Sequence, residues 1–323
     1  MSPSTDHKIV VITRSTRLTE LVARFNTVTQ ARFYVEHMGL DFSDYQHEDQ
    51  TYREALQRTQ QALAPLCRVQ VVDRRYLPNF VFGPQDVVVA LGQDGLVANT
   101  LKYLSSQPLL GVNPDPGRWD GQLLPFVAAD LPRVVPEVFA HQRPQKHVSM
   151  AIARLNNGQS LLAVNDLFIG VRTHTSARYQ LKIGNHKENH SSSGLIVSTG
   201  LGSTGWFKSL LTGATRVARS VAAEGIGSAA EPGESGPQPS DPFSFDWSSD
   251  YLYFTVREPF PSKNTGAELV FGRITPDQPL TVTSHTPENG VIFSDGIEAD
   301  FLEFNSGSIV TIQPARQKGT LVV

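Results

Sequence analysis

Apolar and polar positions in the first part of the chain form blocks that predict strands followed by helices. An apolar, β-branched run at residues 8–13 predicts a strand, and apolar residues at helical spacing across residues 18–37 predict a helix after it. A second amphipathic stretch follows the polar tract at residues 41–50 and ends near Pro65, because proline interrupts helical hydrogen bonding. Further apolar runs predict strands at residues 68–72, 86–90 and 109–112. Strands alternating with helices indicate a parallel, doubly wound sheet that binds ligands beyond the carboxyl ends of its strands.

The second part of the chain has a different pattern, dominated by short strands. Several prolines predict a connector over residues 132–146, and the segments beyond it are typical of strands separated by turns. We therefore predict an α/β domain over residues 1–131 and a predominantly β domain over residues 147–323. Residues 222–241 consist almost exclusively of Gly, Pro, Ser, Ala and Glu, a composition that predicts a flexible surface insertion.

Composition supports two folded domains and argues against two classes of partner. The 323 residues exceed the size at which a single core usually keeps growing, and 40% of them are hydrophobic. The net charge of -3 and the lack of a basic stripe argue against nucleic acid as a partner. The apolar runs are too short to cross a bilayer and the polar first residues lack a secretory apolar core, so we expect no membrane association and a cytoplasmic location.

Cysteine and histidine usage predicts neither a thiolate-rich zinc site nor a paired-histidine metal site. Cys67 is the only cysteine, which excludes an internal disulfide, and its position at the entry to an apolar strand predicts a buried structural thiol. The 9 histidines show no paired metal-ligand spacing, so we expect them to be surface or structural residues.

The first candidate for chemistry is an acidic turn between a strand and a helix, within residues 87–100. Gly92 and Gly95 lie on either side of Asp94, and glycines in such a turn let backbone N–H groups approach phosphate oxygens beside a helix N-terminus. A carboxylate there is poorly placed to bind phosphate, but well placed to accept a proton from a hydroxyl lined up with the phosphate. A plain Asp-Gly turn without a ligand is the alternative.

Two segments of the second domain add weight to a ligand site. Asn165 and Asp166 interrupt an apolar run. Polar groups that stay unpaired in apolar surroundings are costly, so a bound hydroxyl would be a suitable partner for them. A bulge or turn is the alternative explanation. Residues 193–206 run from a buried strand into a turn rich in glycine and hydroxyl residues beside Trp206, before a predicted helix. This pattern fits phosphate and ring contacts, and a simple helix N-cap is the alternative.

Together these segments resemble the NAD kinase family, which carries an acidic Gly-Gly-Asp-Gly turn, an Asn-Glu or Asn-Asp pair and a Thr-Gly-Ser-Thr type loop. The similarity spans nearly the whole chain except the insertion, and it is closest to the mitochondrial-type branch. The segments that indicate this branch lie at residues 13–17, 112–118, 166–170, 192–194 and 301–307. The resemblance implies the two-domain architecture of that family, with a nucleotide-binding α/β domain and a dinucleotide-binding β domain, assembled as a homodimer or homotetramer.

The resemblance also implies a reaction, the transfer of a phosphoryl group from ATP to the adenosine 2′-hydroxyl of NAD to give NADP. Asp94 would take the proton from this hydroxyl, while Mg²⁺ spreads the charge that develops on the phosphates. Asn165 and Asp166 would hold the NAD ribose. The other nucleotide-binding residues that the resemblance implies are Gly92, Gly95, Ser176, Ser193, Thr199, Gly202, Ser203, Thr204, Gly205 and Trp206.

Some positions depart from the family pattern or fit a second explanation. Gln93 stands where the family has a second glycine and Leu96 replaces a threonine, so we expect a narrower phosphate cradle with one hydroxyl fewer. Asp295 and the glycine after it match a late Asp-Gly of the family, and a type I′ hairpin turn explains them equally well. Arg14 and Arg17 follow the first strand, where they either reach phosphates or lie in a solvated loop.

Two other functions stay open on the sequence alone. A kinase acting on a sugar or lipid hydroxyl is one, because related lipid kinases use a similar acidic turn. A non-catalytic protein that binds pyridine nucleotides is the other, motivated by Gln93 and Leu96. A Rossmann dehydrogenase is disfavoured, since no Gly-x-Gly-x-x-Gly follows the first strand.

Overall fold

The computed structural model describes residues 7–224 and 243–323, and the chain divides into two compact units. The first unit extends to Lys146 and includes Gly319–Val323, whereas the second unit covers His147–Lys318. Residues 225–241 of the predicted insertion lie outside the described residues. Its first residues, Ala222 and Ala223, belong to a helix and not to a loop.

The first unit is built around a parallel sheet. Its strands are β1 (Lys8–Thr13), β2 (Arg68–Asp73), β3 (Val87–Leu91) and β4 (Pro108–Val112). Its helices are α1 (Arg17–Phe25), α2 (Val28–His37), α3 (Phe42–Leu63), α4 (Asp94–Leu101) and α5 (Leu131–Phe139), with short 3-10 helices at Arg74–Asn79 and Ala128–Asp130. The strand order is β2-β1-β3-β4, and all these pairings are parallel. Thr320 and Leu321, near the end of the sequence, also pair in parallel with β4.

The central strands of this sheet are buried on both faces. Every residue of β3 is buried, as is every residue of β1 after the first. On one face, Val11 and Val89 pack in a core that also contains Leu63 of α3 and Val135 of α5. Such apolar runs are typical of parallel strands covered by helices, and removal of their side chains from water is the main favourable term in folding.

Two predictions about helices in this unit were wrong. The single helix expected over residues 18–37 is two helices, because Asn26 adopts a left-handed conformation with φ 65° and the Thr27 side chain caps α2. The connector expected over residues 132–146 contains α5, whose buried Val134 belongs to the core of the first unit. Pro132 is compatible with this helix because it lies in the first turn, where its missing N–H would have no intrahelical partner.

The second unit is dominated by strands, with α6 (Trp206–Ala223) and a 3-10 helix at Gly202–Thr204. The strands are β5 (Gln145–Leu155), β6 (Ser160–Ala163), β7 (Asp166–Val171), β8 (Ala177–Ile183), β9 (His186–Ser192), β10 (Leu195–Ser198), β11 (Leu252–Val256), β12 (Phe271–Ile274), β13 (Leu280–Ser284), β14 (Gly290–Ser294), β15 (Ile297–Glu303) and β16 (Ile309–Val322).

These strands form two antiparallel groups around one core. One sheet has the order β12-β11-β10-β7-β14-β15, and the other group contains β13 between β8 and β16, with β9 beside β8. Alternate residues of both groups, including Leu167, Leu195, Leu280 and Val310, are buried together. The predicted fold class, a parallel α/β domain followed by a predominantly β domain, is confirmed.

The lone cysteine and the helices add two local findings. Cys67 is buried as predicted, and burial raises the pKa of its thiol to about 11, so the thiol stays protonated at neutral pH. None of the helices in the described ranges is both long and apolar enough to span a membrane.

A glycine in β4 gives a test of the packing in the first unit. A Cβ on Gly111 would lie 1.8 Å from the carbonyl oxygen of Leu123, so the backbone of residues 121–124 can approach β4 only if residue 111 has no side chain. We expect Gly111→Ala to destabilise the protein by about 3 kcal/mol and to lower the midpoint of thermal unfolding by several degrees. Gly213→Ala is the control, because a Cβ there meets nothing within 4 Å and α6 should gain about 0.5–1 kcal/mol. Equal midpoints for the two variants would contradict this packing.

Candidate active site

The parallel strands of the first unit end at one edge of the sheet. β1 pairs with β3 as far as Ile12 and Ala90, and β3 pairs with β4 as far as Val112. The buried Tyr52 hydroxyl joins the segments that follow. It accepts a hydrogen bond from the Arg14 backbone N–H (3.0 Å) and donates one to the carbonyl of the last β3 residue (3.0 Å). These bonds hold the segments after β1 and β3 side by side, and the Gly92 N–H donates to the Val112 carbonyl at the end of β4 (3.1 Å).

Asp94 lies at this edge as the first residue of α4. Its carboxylate accepts hydrogen bonds from the backbone N–H groups of Leu123 (2.9 Å) and Gln122 (3.3 Å). A carboxylate offers about four acceptor positions, so these two bonds orient the group and leave acceptor capacity for a ligand. The side chain is half-buried. The arrangement suits a carboxylate that receives a proton from a bound hydroxyl.

The loop that supplies these two N–H groups is tied to the end of β4. The Asn113 side chain donates to the Trp119 carbonyl (2.9 Å), and its oxygen accepts the Asp115 N–H (3.0 Å). The Asn113 N–H donates to the Phe126 carbonyl (2.7 Å). Gly111 provides the space for the close approach described above. No local sequence pattern marks Gln122 as a partner of Asp94, and sequence reasoning missed it.

The residues around Asp94 show why this turn departs from the pattern expected of a phosphate cradle. Leu96 is buried, and a Cβ on Gly92 would lie 2.9 Å from its side chain, so a small residue at position 92 accommodates the leucine. Leu96 therefore fills the core beneath the turn. Gly95 is exposed, and a Cβ there would meet nothing within 4 Å. Gln93 precedes α4 without a side-chain capping bond.

A cavity of about 430 Å³ at this edge is lined by arginines. Its lining includes Arg14, Arg17, Arg74, Arg118 and Gln93, and we call it the arginine cavity. Of the two explanations for the arginines after β1, the structure therefore favours a cavity wall over a solvated loop. Guanidinium groups and the N-terminus of α4 both favour anionic ligands, which makes the arginine cavity a candidate phosphate site.

Carboxylates hold these arginines in place. Arg14 and Glu48 form a buried ion pair (3.0 Å), and Arg17 contacts both Glu48 and Asp44. Arg118 also bonds to Asp44. Hydrogen bonds from Arg118 and Arg17 lower the pKa of Asp44 to about 2, so Asp44 stays ionised at neutral pH. The guanidinium groups are thus fixed before any ligand arrives.

In the second unit, Asn165 and Asp166 form the turn into β7. The Asp295 carboxylate accepts hydrogen bonds from the backbone N–H groups of Val164 (3.1 Å), Asn165 (2.6 Å) and Asp166 (3.2 Å). Asp166 is buried, and this burial, together with the charge of Asp295, raises the pKa of Asp166 to about 7. Its carboxyl therefore changes charge near neutral pH. Among the described residues, no three His, Cys, Asp or Glu side chains form a group that could hold a metal ion.

The glycine-rich turn after β10 packs directly on Asn165. The Thr199 hydroxyl donates to the Val164 carbonyl (2.5 Å), and a Cβ on Gly202 would lie 2.0 Å from the Asn165 carbonyl oxygen. The buried Ser203 hydroxyl donates to the carbonyl of residue 200 (2.7 Å). The side chains of Thr199 and Ser203 are thus bonded within the turn. The later residues of the predicted set offer surface to a ligand, since Thr204 and Gly205 are exposed and Trp206 is partly exposed.

The structure does not place Ser176 and Ser193 beside this turn. β10 runs antiparallel to β7, and Ser198 pairs with Asp166 at one end. Ser193 precedes β10 at the opposite end, about 16 Å from Ser198 for a rise of about 3.3 Å per residue, and its hydroxyl bonds to Glu258. Ser176 is exposed in the segment after β7, which leaves from that same opposite end.

A second cavity, of about 490 Å³, lies along β7 and has aromatic walls. Its lining includes Phe168, Trp206, Phe293, Phe301, Arg172 and Arg257, and we call it the aromatic cavity. Trp206 stacks on Phe168 with ring centroids 5.8 Å apart. Arg257 lies over Trp206 (5.3 Å), and Arg172 lies over Phe301 (3.4 Å). The buried Nε of Arg257 has no hydrogen-bond partner among the described residues. A planar ring of a ligand could stack on the aromatic side chains, and an anionic group of the same ligand could accept a hydrogen bond from the Arg257 Nε–H.

Single arginines at strand ends carry no periodic signal, so sequence reasoning missed Arg172 and Arg257. The sequence did indicate Trp206, because a hydroxyl-rich run precedes it. Trp206 joins the glycine-rich turn to the aromatic cavity.

Comparison with known proteins supports the resemblance inferred from the sequence motifs. No protein-family model matches the chain. An NAD kinase from Burkholderia vietnamiensis (strain G4 / LMG 22486) is 33% identical over 130 residues, which cover 38% of this chain and 42% of that protein. The chain therefore matches less than half the length of this relative.

Two solved structures have a similar fold across nearly the whole chain. A crystal structure of an NAD kinase from Archaeoglobus fulgidus in complex with ATP has a TM-score of 0.57 at 15% identity, covering 98% of this chain and 93% of that chain. The crystal structure of yeast NADH kinase complexed with NADH has a TM-score of 0.55 at 13% identity, covering 99% of this chain and 84% of that chain. The predicted resemblance to NAD kinases is confirmed at the level of the fold.

Proposed function

We propose that the protein is an ATP-dependent NAD kinase, which phosphorylates the adenosine 2′-hydroxyl of NAD. The observation that carries this proposal is the Asp94 carboxylate, oriented by two backbone N–H groups at the carboxyl edge of a parallel sheet that also has the arginine cavity. The partial sequence identity to an NAD kinase supports the choice of acceptor.

In the proposed reaction, Asp94 accepts the proton of the 2′-hydroxyl while this oxygen forms a bond to the γ-phosphorus of ATP, the bond from that phosphorus to the β–γ bridging oxygen breaks, and ADP leaves. Arg14, Arg17 and Arg118 offer hydrogen bonds and positive charge to the triphosphate from the arginine cavity. Gly92 leaves room for Leu96, and Gly95 leaves open space at the turn. Mg²⁺ bound to the triphosphate would supply positive charge to the phosphate oxygens during transfer.

The second unit supplies the proposed dinucleotide contacts. Asn165 and Asp166 hold the ribose hydroxyls, and the exposed Thr204 and Gly205 lie beside Trp206 in the wall. Thr199, Gly202 and Ser203 act by holding the turn against Asn165, as their burial indicates. Ser193 and Ser176 would contact a part of the ligand remote from that ribose, because they lie at the opposite end of β7 and β10.

The aromatic cavity extends this dinucleotide site in the proposal. A ring stacked against Trp206 or Phe168 and a phosphate on Arg257 fit its lining, since base stacking and charged hydrogen bonds are the usual means of nucleotide recognition. The mitochondrial-type branch, the homodimer or homotetramer and the cytoplasmic location stay predictions.

The first test removes the proposed base. We expect Asp94→Asn to lower kcat by about 10²–10⁴-fold, because the amide cannot accept the proton, while NAD binding stays measurable. The asparagine oxygen still accepts one backbone hydrogen bond, so the loss of stability should be about 1 kcal/mol. NADP formation, calorimetric NAD binding and thermal unfolding measure the three effects. The control is Asp120→Asn on the neighbouring loop, which changes an exposed carboxylate. Near-normal turnover of Asp94→Asn would refute the assignment.

The second test concerns the aromatic cavity. We expect Arg257→Met to raise the KM for NAD about tenfold and leave kcat within about twofold, because a charged hydrogen bond to the bound substrate is lost. Arg219→Met removes an exposed arginine of α6 and is the matched control. An unchanged KM for NAD in Arg257→Met would exclude this cavity from the dinucleotide site.

A further inference from the structure

Asp295 combines a turn in the backbone with a side chain that reaches another strand. It has φ 54° and Gly296 has φ 71°, so the two residues form the left-handed turn between β14 and β15. The hairpin explanation of this Asp-Gly pair is therefore correct. It does not account for the carboxylate, because aspartate, asparagine and glycine all suit such a turn.

The carboxylate of Asp295 is bound by three successive backbone N–H groups. Oδ1 accepts from Val164 (3.1 Å), Asn165 (2.6 Å) and Asp166 (3.2 Å), and Oδ2 also lies 3.2 Å from the Val164 nitrogen. In the other direction, the Asp295 N–H donates to the Asp166 carbonyl (3.0 Å). Successive N–H groups that converge on one anion form a rigid concave turn, so Asp295 fixes the backbone from which Asn165 and Asp166 project.

The same carboxylate acts electrostatically on Asp166. Burial and then the charge of Asp295 raise the pKa of Asp166 from its ordinary value of 3.8 to about 7. On the strands beside β7, Ser198 of β10 pairs with Asp166 and β14 ends at Ser294, so among these neighbours in register it is Asp295, directly after Ser294, that carries a charge. Asp295 is thus the charged group whose removal would most directly change the titration of Asp166.

We propose that Asp295 is a positioning residue of the dinucleotide site, which holds the Asn165–Asp166 turn in the place where Asp166 can accept hydrogen bonds from a ribose. The inference rests on the proposed function, in which Asp166 contacts the ribose. An ionised carboxylate can accept from both ribose hydroxyls, whereas a protonated one loses part of this capacity.

The sign of the pH effect follows from the raised pKa. Below pH 7 Asp166 is mainly protonated, and above it the residue is mainly ionised. If binding requires the ionised form, the ionised fraction and hence the affinity for NAD should rise about tenfold between pH 6 and pH 8. This dependence would be absent for an aspartate with an ordinary pKa.

The decisive variant is Asp295→Asn, which keeps an oxygen in the position of Oδ1 and tolerates positive φ, but carries no charge. We expect it to move the midpoint of Asp166 titration toward acid by about one pH unit. The affinity for NAD at pH 6 should then come within about twofold of that at pH 8. Carbon-13 NMR of the ligand-free protein measures the titration, and calorimetry across pH 5.5–8.5 measures NAD binding.

A second variant separates the backbone contribution from the charge. Asp295→Gly also suits the left-handed turn but removes every acceptor for the three N–H groups. We expect it to weaken NAD binding about tenfold or more even at pH 8, and to speed amide hydrogen exchange at Val164, Asn165 and Asp166. Asp300→Asn is the control, because it neutralises an exposed carboxylate on the same hairpin.

The outcomes distinguish this inference from the proposed function. If Asp295→Asn leaves the titration midpoint of Asp166 unchanged, or if Asp295→Gly binds NAD like the unaltered protein, the positioning role is refuted. If both variants change the titration and the exchange rates as expected but the unaltered protein does not bind NAD, the positioning of the turn stands and the proposed function fails.

Discussion

The parallel pairing of β1, β3 and β4 is the constraint on which the candidate catalytic edge depends. Because these strands are buried, their register is fixed by packing, and Ile12, Ala90 and Val112 mark where the pairings end. The loops that follow must start from one edge of the sheet. Asp94, the arginines after β1 and the loop after β4 are neighbours as a consequence of strand pairing, although they are remote in sequence.

The two units use carboxylates in the same physical way. Asp94 is held by the backbone N–H groups of Gln122 and Leu123, and Asp295 is held by those of residues 164–166. Backbone N–H groups orient a carboxylate without supplying a mobile cation, and they can leave acceptor positions unoccupied. At Asp94, this leaves capacity for a proton from substrate. At Asp295, the negative charge changes the titration of Asp166.

Much of the fold could be predicted because its signals are local. The apolar run at residues 8–13 coincides with β1, and the run at residues 86–90 differs from β3 by one residue at each end. The break at Asn26 was missed, since apolar spacing continues across it and the left-handed residue carries no mark in the pattern. Prolines suggested a connector where α5 forms, because buried valines on one face outweighed the breaking tendency of proline.

The candidate site was only partly predictable, because its contacts join distant segments. The Asp94 turn and the Asn165 pair were visible as polar interruptions of apolar runs. The N–H groups that orient Asp94, and the stacking of Arg257 on Trp206, depend on long-range packing and leave no local pattern. Leu96 was predicted to leave the phosphate cradle with one hydroxyl fewer, and the structure adds that its side chain is buried in the core.

The most direct test of the central claim is to identify the hydroxyl that the protein phosphorylates. The purified protein would be incubated with ATP, Mg²⁺ and a mixture of NAD, NADH, diacylglycerol and simple sugars, and the products identified by mass spectrometry and phosphorus NMR. The account predicts a new phosphate at the adenosine 2′ position of the pyridine dinucleotide. Phosphorylation of a sugar or of diacylglycerol, with the dinucleotides left unchanged, would contradict it.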